Sequence, residues 1–486
     1  MLKARRLQED CKPKEKKEKR IKKDTPLRKI EENGCGIDLG SKFHTVTCAV
    51  PGEKGKIMTL TFETFTSDLE AMINWLKKCE VKSACMEATG VYWMHLHKML
   101  EDAGIKPVLI DGRHLKNVKG RKTDVIDSEW LYKIHSFGLD EGAFVPDNLT
   151  LELRTYTRVR ENYVKTAARA INRMQKALIA MNIRIENVLN DISGKTGMTI
   201  IESILSGTRD PKLLASFRDS RCKSSEEEIE KALMGCYSDD QIFALKMAYD
   251  DYKAAQTSVY QCDLEIEKQL AKYETKQPAN GCSEDDVTEG KNSEIEPAKK
   301  KNTDAKIKRH PFHFDLQKEL IRISGVDLTQ IPGIAPNTAL TIIAELGLDM
   351  SHWKTAKHFC GYLQLAPNDR ISGGKKLKSI RNKRNNRATV ALRMSVLGLY
   401  RDSNKTAVGA YYLKKRSQKG PGKAITATAS KLAKRVYTSL KTGKQYVEYG
   451  AEAYNEFQQD RQVKKAKRIL RKYGYTVAKN EQASAA

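Results

Sequence analysis

The chain has 486 residues, room for about three domains of roughly 150 residues each, and enough core that no disulfide or metal staple is needed for stability. Lys and Arg number 87 against 61 Asp and Glu, a formal net charge of +26, so a polyanion, above all a nucleic acid, is the expected partner. No stretch reaches the ~20 apolar residues of a membrane helix, and the charged first residues carry no secretory core. The 10 scattered cysteines, with no C-x-x-C pair, fit reduced thiols in a cytoplasm rather than a zinc ribbon.

Residues 1–33 read as a basic disordered arm: the first 30 hold 13 Lys/Arg and 5 Asp/Glu among few apolar positions. Residues 35–50, with a glycine-containing bend, and the alternating 57–65 predict successive antiparallel strands. Ser67 is placed to cap a helix over 68–78 with Leu69, Met72, Ile73 and Leu76 on one face. A short buried strand over 81–86, a helix over 90–102, a strand over 106–110 and a helix over 123–136 complete a mixed sheet with helices on its faces, spanning 34–150.

From 153 to 188, apolar or small residues recur in steps of three and four at Tyr156, Val159, Tyr163, Ala167, Ala170, Met174, Ala177, Met181, Ile185 and Val188. This predicts a helix of ~50 Å, with a second helix over 239–273 folding back on it. Two core helices and a coiled coil that mediates self-association both satisfy the pattern, and 151–273 is assigned to this segment. Residues 274–311 have almost no apolar side chains and read as a disordered linker or insertion. The remaining 312–486 is mainly helical. Its stretch LTQIPGIAPNTALTIIAELG, 328–347, has the pattern of a helix-hairpin-helix, whose turn can offer backbone N–H groups to a phosphate; a plain helical hairpin fits it too.

Four acids stand where chemistry could gather. Asp38 lies inside a strand between apolar neighbours, and a carboxylate there needs a cation or a donor. Glu87 closes a strand at the carboxyl edge, where α/β sheets build sites. Asp124 and Asp127 are three residues apart, on one helical face, although Asp124 also suits a helix cap. Four carboxylates meeting in so basic a protein call for a divalent cation, and hard oxygen donors select Mg2+ or Mn2+. Ser372 is followed by two glycines and then by a run with 7 Lys/Arg and no acid over 375–387. The run offers Lys375, Lys376, Lys378, Arg381, Lys383, Arg384 and Arg387 to a nucleic-acid backbone. On the residues alone Ser372 reads first as a turn residue in a Ser-Gly-Gly loop. The basic helix face of Arg154, Arg158, Arg169 and Arg173, and the basic stretch near the C-terminus, are either nucleic-acid contacts or solvated charge.

The blocks Gly36-Ile37-Asp38, Met86-Glu87-Ala88-Thr89-Gly90-Val91-Tyr92 and Lys122-Thr123-Asp124-Val125-Ile126-Asp127 resemble those of the DEDD transposases of the insertion-sequence one-ten family, relatives of the Piv invertases. In the second half Ile331-Pro332-Gly333-Ile334, Leu365-Ala366-Pro367, Ser372-Gly373-Gly374 and Arg471-Lys472-Tyr473-Gly474-Tyr475 resemble the C-terminal domain of that family. Ser128 stands where the family commonly has alanine, Ala335 where a hairpin glycine is frequent, and 381–387 carries asparagines where a glycine is usual.

The resemblance implies a RuvC-like, RNase H-type first domain in which Asp38, Glu87, Asp124 and Asp127 bind magnesium, and a serine nucleophile at Ser372. It implies an insertion-sequence transposase or recombinase that cleaves and rejoins DNA through a covalent phosphoserine, guided by an RNA from its own element. A homo-oligomer, dimer or tetramer, acting in the cytoplasm at the nucleoid and away from membranes, is expected. The competing readings are a RuvC-like junction nuclease that uses water and a non-catalytic nucleic-acid-binding relative.

Overall fold

The computed structural model describes residues 29–53, 55–112, 124–140, 142–277, 310–366, 369–373, 375–379 and 386–476, with backbone alone at 124–126, 369–371, 376–379 and 401–402. The basic arm expected over 1–33 and the insertion expected over 274–311 fall mostly outside these residues. The chain divides into two compact units at Val145/Pro146.

The first unit is built on a five-stranded sheet in the order β3-β2-β1-β4-β5. Strands β1 (Gly34–Leu39), β2 (Phe43–Ala49) and β3 (Ile57–Glu63) run antiparallel, as the alternation of 57–65 predicts. Strands β4 (Ser83–Glu87) and β5 (Lys106–Ile110) add in parallel on the other side of β1. Helices α1 (Thr66–Lys78) and α2 (Trp93–Asp102) make the parallel crossovers. Leu69, Met72, Ile73 and Leu76 of α1 are buried with Ile37, Val46, Met86, Leu96 and Leu100, so the apolar stripe faces the core as its period requires. Ser67 is not the cap. The helix starts two residues earlier with Phe65 at the N-cap and no side-chain cap bond, and Ser67 Oγ donates to Asp68 instead, at 3.2 Å.

Helix α3 (Asp124–Ser136) covers the opposite face of the sheet. Because side chains alternate along a strand, Gly36 and Asp38 point to this face while Cys35, Ile37 and Leu39 enter the main core. The absent side chain at Gly36 is what lets α3 approach: a Cβ there would lie 2.2 Å from Tyr132 N and 2.3 Å from the Ser128 carbonyl oxygen. Thr47 on β2 and Ser128 on α3 join hydroxyl to hydroxyl at 2.9 Å in the same contact.

In the second unit, α4 (Asn148–Ala180) and α8 (Asp239–Ala271) are 33 residues each, about 50 Å at 1.5 Å per residue. They pack along one another as an antiparallel pair. Asp147 caps α4 by accepting from Thr150 N at 2.8 Å. The buried seam of α4 runs Leu153, Arg160, Ala167 and Met174 in steps of seven, joined by Ala170, Ile171, Ala177 and Leu178. The second half of the expected stripe is therefore buried, but Val159 and Tyr163 are 40% and 39% exposed. The difference has one cause. Arg160 takes the seam position, donates to Asp263 of α8 and to the His310 carbonyl, and stacks 3.7 Å over the Phe312 ring. The helix also ends sooner than 188: Met181 is its C-cap and Asn182 turns to a φ of +53°. Between the long helices, α5 (Lys195–Leu205), α6 (Pro211–Ala215) and α7 (Glu226–Leu233) close a core around Ile200, Ile204, Leu214, Ile229 and Leu233.

The C-terminal part packs on this hairpin within the same unit. Helix α9 (Leu316–Ser324) carries Arg322, which donates to the Tyr273 carbonyl at 2.9 Å and to the Leu270 carbonyl at 2.7 Å. The Pro-Gly turn leads into α10 (Pro336–Leu346), as the helix-hairpin-helix pattern anticipates. Its Gly333 lies against α12 (Arg387–Gly398), where a Cβ would come within 2.9 Å of the Ser395 carbonyl oxygen. Helices α11 (Ala356–Tyr362), α13 (Ala407–Lys419), α14 (Pro421–Thr442) and α15 (Gly450–Lys472) complete the unit. Among the described residues no helix is long and apolar enough to cross a membrane.

Removing one member of the Arg160–Asp263 pair strands a buried charge. Asp263→Ala is expected to destabilise the helical unit by about 3–5 kcal/mol, whereas Arg160→Met with Asp263→Leu is expected to be near neutral. Denaturant unfolding followed by helical circular dichroism checks both.

Candidate active site

The sheet register brings the expected acids of the first unit to one edge. Ile37 pairs with Met86 across parallel strands β1 and β4, so Asp38, next to last in β1, and Glu87, last in β4, stand side by side with side chains on the α3 face. Asp127 lies in the first turns of α3, next to the Ser128–Thr47 contact, on that same face. Asp38, Glu87 and Asp127 are all half-buried. Asp124 begins α3, and its side chain lies outside the description.

Glu87 is further positioned by Gly112: a Cβ on that glycine would sit 1.9 Å from Glu87 Oε1. The glycine leaves the space the carboxylate occupies. The donor set is all hard oxygen at the carboxyl end of parallel strands, which fits a magnesium-type ion. The three described acids do not form a group whose ligand atoms all lie within 4.8 Å of one another.

The group that does, among the described residues, is Cys85, His135 and Asp140, which no spacing in the sequence announces. Its thiol, imidazole and carboxylate would suit a softer ion such as zinc rather than magnesium. Hydrogen bonds already account for the imidazole: Nε2 meets Ser83 Oγ at 2.7 Å and Nδ1 meets Asp140 Oδ2 at 2.8 Å. Burial, together with the charge of Asp140, holds the Cys85 thiol well above its usual range, so it stays protonated. The cluster fastens the C-terminal end of α3 to the start of β4, eight residues or about 12 Å along the helix from Asp127.

In the second unit Ser372 ends strand β6 (Asp369–Ser372), paired with Lys375 at the start of β7 (Lys375–Ser379). Gly373 follows Ser372 in a turn with φ +55°, which glycine adopts without cost. Ser372 and Lys375 are both exposed. The side chains of Lys376 and Lys378, and residues Arg381, Lys383 and Arg384, lie outside the description. Arg387 pairs with Glu161 of α4 at 2.5 Å.

The basic face expected on α4 is largely spoken for. Arg158 grips Glu345 of α10 with two hydrogen bonds of 2.8 Å, and Arg154 donates to the Ala344 and Glu345 carbonyls. Arg173 pairs with Asp251 of α8 at 2.7 Å. Forked guanidinium contacts of this kind tie helices together, and only the fold reveals their partners.

Comparison with known families matches two segments of the chain. Residues 35–183 match the DEDD transposase model of the IS110 type, and residues 327–412 match the transposase IS116/IS110/IS902 family. The chain is a member of the IS110 family of transposases. The first match contains Asp38, Glu87, Asp124 and Asp127, and the second contains Ser372. Family membership makes this IS110-family transposase a DNA-processing enzyme of an insertion sequence, with DNA as partner and divalent metal in general use. No curated protein matches the chain.

Gly112→Ala pushes a methyl into the Glu87 carboxylate without straining the backbone. DNA processing is expected to fall about 10²-fold, as for a displacement of order 1 Å at a reacting centre, while the thermal unfolding midpoint is retained; paired activity and unfolding measurements check this. His135→Ala leaves Ser83 and Asp140 without their partner and is expected to destabilise the first unit by about 2–4 kcal/mol, read by thermal unfolding.

Proposed function

We propose that this IS110-family transposase cuts and rejoins DNA with the Ser372 hydroxyl as nucleophile, and that Asp38, Glu87, Asp124 and Asp127 hold Mg2+ or Mn2+. The observation that carries the reading is an exposed serine hydroxyl at the tip of a glycine turn, paired with an exposed lysine, inside one of the two segments that match the family. The gathering of Asp38, Glu87 and Asp127 on one sheet edge supports the metal assignment. The sheet order, antiparallel β1-β2-β3 followed by parallel β4 and β5, supports a RuvC-like, RNase H-type domain.

In this scheme Ser372 Oγ attacks a DNA phosphorus and its proton passes to a base. The P–O bond to one strand breaks, and that strand leaves with a free hydroxyl. A phosphoserine diester conserves the bond energy. A strand-end hydroxyl then attacks the same phosphorus, the P–Oγ bond breaks and Ser372 is regenerated, so no external energy source is consumed. Gly373 permits close approach of the backbone to the phosphodiester, and Lys375 neutralises its non-bridging oxygens. Asp38, Glu87, Asp124 and Asp127 would hold a divalent ion, which would supply Lewis-acid charge to a bound phosphodiester. Pairing of an element-encoded RNA with donor and target supplies sequence choice, the protein reading shape and backbone. A dimer or tetramer holds the several strand ends, in the cytoplasm at the nucleoid.

Ser372→Ala is expected to abolish both the covalent protein–DNA adduct on denaturing gels and strand exchange, and Asp38→Asn to lower both at least 10²-fold. An Ser372→Ala protein that still cuts DNA at the wild-type rate would assign the attack to water and overturn the serine step.

A further inference from the structure

Among the described residues, almost nothing packs on the C-terminal half of α15. Its first half packs on α13, but from Gln459 to Lys472 every residue except Lys467 is exposed. An isolated helix of about fourteen residues is marginal in water, so a surface of this kind invites a partner. Its composition says which kind. At about 100° per residue, Arg461, Lys464, Lys465, Arg468, Arg471 and Lys472 fall within an arc of about 120°. No acid follows Asp460 in the helix, and none of the six is paired with a described residue. Val463, Ala466, Leu470 and Tyr473 occupy the opposite side, and Val463 and Leu470 are 47% and 38% exposed. The contrast with α4 is sharp, since there the arginines are neutralised by Glu345 and Asp251.

We propose that the free half of α15 is a docking arm for double-stranded DNA, entering the major groove with its basic arc against the phosphates. A helix 10–12 Å across matches a B-form major groove about 12 Å wide. The major groove of A-form RNA is too deep and narrow for such entry. The six cations span about 16 Å of helix, with no carboxylate between them to repel the duplex. This arm acts in binding and is independent of the serine chemistry proposed above.

The test uses the full chain in EDTA, so that no strand is cut, and a labelled 30-base-pair DNA duplex followed by anisotropy across a salt series. Each phosphate contact contributes about 0.9 to the slope of log K against log salt. Lys464→Gln/Lys465→Gln/Arg468→Gln/Arg471→Gln is therefore expected to shallow that slope by about 3–4 and to weaken binding at least tenfold at physiological salt. The thermal unfolding midpoint is expected to hold, because the four side chains are exposed. The charge-preserving set Lys464→Arg/Lys465→Arg/Arg468→Lys/Arg471→Lys is expected to keep the wild-type slope.

An unchanged slope in the glutamine variant overturns the proposal. So does a loss confined to an RNA duplex of equal length, or a loss confined to phosphatidylserine-containing vesicles. A charge-preserving variant that loses the slope as severely as the glutamine set also overturns it, because charge would then not be the agent.

Discussion

At Gly36 the backbone of a central strand touches the backbone of a helix. No side chain can stand between β1 and α3 there: even a methyl would meet Tyr132 N and the Ser128 carbonyl oxygen at 2.2 and 2.3 Å. The consequence reaches two residues further along β1. Because strand side chains alternate, the face emptied at Gly36 is the face that carries Asp38, and α3 brought close against it carries Asp127 to the same edge. Glu87 arrives from the neighbouring parallel strand by register, and the vacancy at Gly112 leaves room for its carboxylate. The Thr47–Ser128 bond and the Ser83–His135–Asp140 chain hold α3 at its two ends. A candidate catalytic edge thus rests on missing atoms as much as on present ones.

Much of this was legible before the fold was known, and the reasons differ by residue. Leu69, Met72, Ile73 and Leu76 sit on one face because the helical period is a local property of a short stretch. Asp38 and Glu87 stood out because a carboxylate next to a buried apolar run is costly without a purpose. The heptad of α4 was legible from Ala167 onward and misleading before it, where Val159 and Tyr163 are exposed and Arg160 enters the seam. No local rule places an arginine inside; only Asp263, 103 residues away, makes it affordable in free energy. The same holds for Arg154 and Arg158, whose partner Glu345 lies in another helix. It holds again for Cys85, which the fold alone brings from its strand to His135 and Asp140 at the end of α3.

The second unit shows two uses of one residue type. On α4, guanidinium groups are desolvated against Glu345 and Asp263 and act as internal fasteners. At the end of α15, the same chemistry is exposed and pairs with no acid among the described residues. A net charge of +26 does not distinguish these roles. Pairing does, and it turns a global excess of positive charge into a few places able to meet phosphate. Ser372 and Lys375, held opposite one another by a glycine turn, form another such exposed place.

Both flanks of the 278–309 stretch are moored to the long helical hairpin. Arg322 ties down Leu270 and Tyr273 before it, and Arg160 clasps His310 and Phe312 after it. Each flank is therefore held by a guanidinium from the other side of the stretch, Arg322 reaching back to the residues before it and Arg160 forward to those after it, so the two crossings bind both ends to the same hairpin.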